Sequence, residues 1–183
     1  MILGDGIRLR ALERSDVPRC AVWINDREVS QYLLVRTPIS LAAEERWYEQ
    51  MAQRAPNEQV LAIDVQTAEG DWRHIGNISF HELDVFNHSA EVGILIGEKD
   101  CLGRGFGRKA MALMLDYGFG MLNLNRIFLH VHADNERAIR SYRAAGFVQE
   151  GVLRQDMYKY GRYVDVLVMS VLRSEWQAKR SLE

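Results

Sequence analysis

Residues 102–111, LGRGFGRKAM, contain three glycines within five positions, directly before a helix-forming segment. Glycines permit a tight turn with exposed backbone N–H groups, and the N-terminus of a helix carries a partial positive charge. Such a loop can bind an anion such as a pyrophosphate. The amides that would face the anion belong to Gly105, Phe106, Gly107 and Arg108, and the cationic side chains nearby are Arg104, Arg108 and Lys109.

Two common phosphate-binding motifs do not fit this loop. The dinucleotide motif requires G-x-G-x-x-G, whereas Gly103, Gly105 and Gly107 form G-x-G-x-G. The P-loop requires a lysine followed by serine or threonine, but Lys109 is followed by Ala110. Two interpretations remain: a phosphate cradle of another kind, or glycines that only shape a turn between a strand and a helix.

Length and composition exclude several classes of protein. The 183 residues and 48% hydrophobic content predict a single globular domain over 1–183. A net charge of −2 argues against a general nucleic-acid binder. No apolar run predicts a membrane span or a signal peptide. Cys20 and Cys101 lack metal or redox spacing, so we expect a cytoplasmic protein. The final Leu-Glu pair is typical of a cloning remnant and is left out of the fold prediction.

Hydrophobic patterns predict the elements that must position the loop. Helices are expected after Ser15, with Cys20, Val22, Trp23 and Ile24, and after Ser40. The buried stripe of the second helix is predicted to be Leu41, Trp47 and Met51. A third helix, over about 105–122, follows the glycine loop. Its predicted apolar face consists of Ala110, Leu113, Met114, Tyr117 and Met121.

Seven strand-like runs accompany these helices, at 7–12, 60–66, 74–86, 90–97, 126–133, 147–154 and 162–172. The helix that joins 90–97 to 126–133 makes a parallel pair of those strands the expected arrangement. A short helix should begin at Asn135 and end at Gly146. The sequence therefore predicts an α+β fold, with a mixed, mostly antiparallel sheet of about seven strands and helices on both faces.

The loop LGRGFGRKA resembles the acetyl-CoA pyrophosphate loop of the GNAT N-acetyltransferase superfamily, written Q/R-x-x-G-x-G/A. Gly105 and Gly107 match the two small positions, whereas Leu102 departs from the leading Gln or Arg. The resemblance extends over about 7–173 through AEVGILIG, NRIFLHVHADNERAIRSYRAAGF and GRYVDVLVMSVL. Within this superfamily the sequence is similar to the RimJ/RimL-like branch, which includes ribosomal-protein and spermidine acetyltransferases.

The resemblance implies the GNAT fold and an enzyme that transfers an acetyl group from acetyl-CoA directly to a primary amine, through a tetrahedral intermediate and without a metal. One strand should separate from its parallel neighbour and bind the pantetheine arm through its backbone. The implied cofactor-binding residues are Val92, Gly93, Ile94, Leu95, Ile96, Leu102, Gly103, Arg104, Gly105, Phe106, Gly107, Arg108, Asn135 and Tyr142. Asn135 is also explained as a simple helix cap.

Three residues are candidates for the proton transfers. The family places a tyrosine near the acetyl-CoA sulfur, so Tyr142 is implied as proton donor to the thiolate, against the alternative of a packing aromatic. Glu91 is the first candidate base, acting through a water, and is otherwise an ordinary strand-end acid. His130 is the rival base because histidine titrates near neutral pH. His132, on the same side of the strand, is expected to be a partly buried histidine, and no third ligand supports a metal.

The sequence leaves the acceptor open. The acceptor should meet residues 25–34 and 80–91, where Glu82, Asp84 and Glu91 would suit a cationic amine or are simply solvated. A protein N-terminus, a polyamine, an amino sugar and an antibiotic amine all remain candidates. A non-catalytic acyl-CoA-binding or sensor module is the alternative function. A homodimer is a further expectation from the family, with neither nucleic acid nor membrane as partner.

Overall fold

The computed structural model describes residues 1–181, and the terminal Leu-Glu pair lies outside the described residues. Eight strands and six helices follow one another along the chain. The strands are β1 (Ile2–Gly4), β2 (Ile7–Ala11), β3 (Leu61–Gln66), β4 (Trp72–Asp84), β5 (Ser89–Ile96), β6 (Arg126–His132), β7 (Val148–Lys159) and β8 (Arg162–Leu172). The helices are α1 (Val17–Asn25), α2 (Arg27–Ser30), α3 (Leu41–Ala52), α4 (Phe106–Gly120), α5 (Glu136–Ala145) and α6 (Arg173–Arg180).

The eight strands form one sheet in the order β1-β2-β3-β4-β5-β6-β8-β7. β5 and β6 are parallel, and every other neighbouring pair is antiparallel. The predicted mixed α+β sheet is confirmed, and so is the parallel pair across α4. The sheet has one strand more than predicted, because the three-residue β1 forms a hairpin with β2 and is too short to show an alternating pattern.

Two hydrophobic clusters lie on opposite faces of the sheet. The larger one joins the sheet to α4, α5 and α6, where Trp176 of α6 packs 5.3 Å from the Phe119 ring. The smaller one lies under α1 and α3 and contains Trp23 and Met51 together with Leu95 of β5. Residues alternate between the two faces along each strand. Glu91, Gly93 and Leu95 of β5 therefore share the face that carries α1 and α3.

The predicted helices form, but several of their boundaries and buried faces differ from the prediction. A 3₁₀ turn occupies Arg14–Asp16, and Asp16, not Ser15, precedes α1. Val22 of α1 is exposed. On α3, Ser40 forms the expected cap, but Leu41 is exposed and Glu44 takes a buried position beside Met51.

The buried face of α4 is rotated relative to the prediction. Positions 110, 111, 114, 115, 118 and 119 are buried, whereas Met121 lies beyond the end of the helix and is exposed. Gly118 accounts for the rotation, since a Cβ there would lie 2.6 Å from Ile127 Cδ1 and 2.8 Å from Phe80 Cζ. The missing side chain lets the C-terminal part of α4 pack closely against β4 and β6.

Candidate active site

β5 separates from its parallel neighbour part-way along its length. β5 pairs with β4 from Ser89 to Ile96, but it pairs with β6 only where Ser89–Glu91 lie beside Arg126–Phe128. β6 then continues to His132 alongside β8. In residues 1–181 no strand pairs with the second edge of β5 at 92–96. Its backbone N–H and C=O groups are therefore available to a ligand on that side, as the family resemblance implies.

The glycine loop lies at the open end of this gap. Gly103 and Gly105 have φ of +73° and +84°, a conformation that other residues adopt at a cost, and a Cβ at either position would contact nothing within 4 Å. Gly105 is the N-cap of α4 and has no side chain to occupy the first-turn amides. A Cβ at Gly107 would lie 3.8 Å from Ile96 Cγ1 and 3.9 Å from Ser141 Oγ. The loop therefore leads directly into α4 and lies next to the end of β5 and to α5.

The positive charge around the loop is smaller than the sequence suggests. The Arg104 guanidinium lies 5.3 Å from the Phe106 ring, and the Arg108 side chain is exposed. Lys109 instead donates to the backbone oxygen and the carboxylate of Asp5, at 3.0 and 3.2 Å. Two of the three predicted cations therefore remain beside the loop, because the β1–β2 turn attracts the third.

Glu91 and His130, the two rival bases, are hydrogen-bonded to each other. The distance between His130 Nδ1 and Glu91 Oε1 is 2.7 Å. Glu91 lies opposite Phe128 in the parallel register, and His130 follows two residues later on the same face. A carboxylate accepts hydrogen bonds, so Nδ1 must carry the proton and Nε2 of a neutral ring has a free lone pair. Both side chains are partly exposed, at 24% and 39%.

A third titratable side chain completes this cluster, and the sequence analysis did not single it out. His81 lies opposite Glu91 in the β4–β5 register and hydrogen-bonds Ser79 Oγ at 3.1 Å. A Cβ at Gly93 would lie 2.8 Å from His81 Nε2, so Gly93 makes room for this ring. Desolvation by the surrounding strands lowers the pKa of His81, and the Glu91 charge acts in the opposite direction. Pairing β4 with β5 as a hairpin places His81 opposite Glu91, and this register is the signal that could have identified His81.

Tyr142 and Asn135 lie on the α5 side of the gap. The Tyr142 ring is partly buried and packs 5.8 Å from the Phe147 ring, and burial raises the pKa of its phenol to about 12. The phenol therefore stays protonated over the physiological pH range. Asn135 Oδ1 accepts a hydrogen bond from the Ala138 amide at 3.2 Å, as a helix cap does.

The remaining candidates, His132, Glu82 and Asp84, lie in packing contacts or in turns of the backbone. His132 is buried, and its ring packs edge-on, 5.7 Å from the Tyr32 ring. Glu82 has a φ of +47° at a bulge in β4, and Asp84 accepts from the amides of Phe86 and Asn87 in the turn that follows.

Within residues 1–181 no group of three His, Cys, Asp or Glu side chains is arranged to hold a metal ion. In the same residues, no helix has the length and apolarity to cross a bilayer.

Comparison with known proteins identifies the family. Residues 7–148 match the model of the acetyltransferase (GNAT) domain. The chain belongs to the GNAT acetyltransferase family. It is 32% identical over 174 residues to the spermidine N(1)-acetyltransferase of Vibrio cholerae, covering 95% of this chain and 97% of that protein. It is 29% identical to YdaF of Bacillus subtilis, a candidate ribosomal N-acetyltransferase, with 97% of each chain covered.

The solved structures agree with this assignment. The crystal structure of the V. cholerae spermidine N-acetyltransferase with CoA and spermine superposes with a TM-score of 0.84 at 32% identity, covering 95% of this chain and 99% of that one. This GNAT protein is thus an N-acetyltransferase with acetyl-CoA as co-substrate. Its own residues fit that co-substrate, because the glycine loop leaves open space beside free amides and β5 offers an unpaired edge. Of the two alternatives from the sequence, these comparisons support the enzyme and not the non-catalytic sensor module.

Gly105→Val should weaken acetyl-CoA binding at least about tenfold, because a branched side chain would occupy the space in front of the α4 amides and oppose the positive φ. Calorimetric titration with acetyl-CoA measures the affinity. The matched control is Gly70→Val in the β3–β4 turn, which also has a positive φ and an open Cβ position. Both variants should lose about 1–2 kcal/mol of stability. Equal affinities for acetyl-CoA in the two variants would contradict the cradle.

Proposed function

We propose that this GNAT enzyme acetylates a primary amine with the Glu91–His130 pair as its proton acceptor and Tyr142 as its proton donor. The observation that carries the proposal is the 2.7 Å hydrogen bond between Glu91 and His130, located where β5 and β6 separate. The cofactor would be held by the backbone of residues 92–96, by the loop from Leu102 to Arg108, and by Asn135 and Tyr142.

His130 is the better placed of the two bases. A protonated alkylamine, with an ordinary pKa near 10, must lose a proton before it can attack a carbonyl carbon. With Nδ1–H donated to Glu91, the free Nε2 of His130 can accept that proton, and Glu91 holds the ring in the required tautomer and stabilises the imidazolium that forms. Glu91 is then a positioning residue. The sequence alone ranked it first because it could not show the hydrogen bond.

Direct transfer requires the amine nitrogen to attack the thioester carbonyl, which forms a tetrahedral oxyanion. Collapse of this intermediate breaks the C–S bond and leaves a thiolate. Tyr142, protonated at neutral pH, can donate its phenolic hydrogen to the departing sulfur and regain a proton from solvent. Neither cysteine is suited to an acyl-enzyme intermediate, since Cys20 and Cys101 are both buried and burial raises the pKa of the Cys20 thiol to about 11.

The finer assignments are part of the same proposal. The names of the relatives favour two kinds of acceptor, a polyamine such as spermidine and a ribosomal protein N-terminus, which is the chemistry of the RimJ/RimL-like branch. We propose one catalytic domain, a cytoplasmic location in which both free thiols stay reduced, and a homodimer, which the family suggests.

The function is tested by acetyl-CoA-dependent thiol release with a panel of amines: spermidine, short peptides with a free α-amine, amino sugars and aminoglycosides. At least one amine should increase the rate well above the hydrolysis of acetyl-CoA alone, and mass spectrometry should find one added acetyl group on it. Tight acetyl-CoA binding without turnover for any of these amines would contradict the proposal and support a sensor.

Tyr142→Phe should lower kcat roughly 10²-fold, because the departing thiolate loses its proton donor. The acetyl-CoA dissociation constant should change little, since the ring and its packing against Phe147 are retained. Steady-state kinetics and calorimetry measure the two effects separately. A variant with unchanged kcat would show that Tyr142 only packs α5.

His130→Gln should lower kcat/KM by about 10²–10³-fold, and Glu91→Gln by about tenfold, because glutamine can still accept a hydrogen bond from the imidazole. The double variant should be no slower than His130→Gln alone, since Glu91 acts through His130. His88→Gln, which removes an imidazole from the β4–β5 turn, is the control and should retain activity. A larger loss in Glu91→Gln than in His130→Gln would make Glu91 the base.

A further inference from the structure

A cleft of about 560 Å³ opens on the same side of the sheet as the Glu91–His130 pair, towards the end of the β7–β8 hairpin. One wall runs from the end of α1 through α2 into the loop that precedes α3, and the other is the end of the β7–β8 hairpin. Its volume falls in the range of sites that bind small molecules or a few residues of a peptide. Tyr158 and Tyr160 give it aromatic surface.

The charged side chains that line this cleft all have the same sign. Arg27, Arg36 and Lys159 contribute three cations, and none of the described residues in its lining carries a carboxylate. The nearest acids in sequence, Asp26 and Glu28, are both bonded to Lys99, at 2.7 and 3.0 Å. The cleft therefore presents an uncompensated positive potential, although the net charge of the chain is −2.

Two of the three cations are held in place by the protein. Lys159 is 9% exposed, and its Nζ donates to the backbone oxygens of Ser30 and Leu33. An ammonium group has three hydrogens, so one remains for a ligand. The Arg27 guanidinium lies 4.5 Å from the Tyr160 ring, which orients it, and Arg36 forms no ion pair with any residue in 1–181. A fixed set of donors binds an anion at a lower entropic cost than mobile side chains.

The segment that Lys159 binds also touches the strand that carries the base. Tyr32, between Ser30 and Leu33, packs 5.7 Å from the ring of His132. His132 follows His130 by two residues, which separates them by about 7 Å along β6. Along β8, six residues separate the partner of His130 from the partner of Lys159. The cationic cleft is therefore on the order of 20 Å from the base, which is the length of about six extended residues.

We propose that this cleft selects acceptors that carry a negative charge, and that the preferred acceptor is a peptide α-amine followed about six residues further on by Asp or Glu. This inference rests on the proposed function, because it assigns the substrate class of the same site. The polyamines named for several relatives would bring ammonium groups against three cations, which like-charge repulsion disfavours. A peptide can also span the distance between the base and the cleft, and it suits the aromatic walls of the cleft.

The test compares three peptides with amidated C-termini, in which five alanines precede Asp-Asp, Asn-Asn or Lys-Lys, together with spermidine and glucosamine 6-phosphate. Calorimetry in the presence of saturating CoA measures binding, and thiol release from acetyl-CoA measures turnover. The acidic peptide should bind roughly tenfold more tightly than the neutral one and have the higher kcat/KM, and both differences should shrink with added salt.

Arg36→Glu should remove or reverse the preference for the acidic peptide, and it should leave folding intact because the side chain is exposed and unpaired in the described residues. Arg14→Glu is the matched control, since it makes the same change of charge just before the start of α1. The cleft lies at the other end of this nine-residue helix, about 14 Å away. The control should keep the preference.

The inference is overturned if the acidic peptide binds no better than the neutral one, if Arg36→Glu and Arg14→Glu behave alike, or if spermidine is the best ligand. A clear preference for glucosamine 6-phosphate would overturn the peptide assignment in favour of a phosphorylated amine. Charge-dependent binding of the acidic peptide without any turnover would support the cleft and contradict the proposed function, so the two failures are distinguishable.

Discussion

The separation of β5 from β6 is the constraint on which the rest of the site depends. The two strands are parallel neighbours for three residues each and then diverge, so that one edge of β5 keeps its hydrogen-bonding groups unpaired. An unpaired edge inside a sheet is normally costly, because backbone N–H and C=O groups need partners. Here the gap is the place where an extended pantetheine arm can supply them, in the manner of an added strand.

The same divergence positions the side chains. Glu91 is the last residue of β5 that pairs with β6, and His130 lies just beyond the pairing on the other strand. The distance between the strands at that point is still short enough for the 2.7 Å hydrogen bond between the two side chains. The acid–base pair is therefore located by the geometry of the strands.

The cofactor side and the acceptor side of the site are built in different ways. The proposed cofactor side consists mainly of backbone: the free edge of β5, the amides of Gly105 and its neighbours, and the start of α4. The proposed acceptor side is made of side chains that come from α2, the following loop and the β7–β8 hairpin. Backbone contacts tolerate changes of sequence, whereas side-chain contacts do not. This difference explains how one family can share a co-substrate and differ in acceptors.

The sequence by itself determined the order of the elements and the family, and it supplied the candidate residues for the chemistry. Periodicity, caps at Ser40 and Asn135, and the glycine loop are local signals, so they are readable without the fold. Only the tertiary structure decided that Glu91 and His130 are hydrogen-bonded, that His81 lies beside Glu91, that Lys109 turns to Asp5, and that the cleft at Lys159 is cationic. Each of these depends on strand register or on contacts between residues distant in the chain, and such contacts leave no local pattern in the sequence.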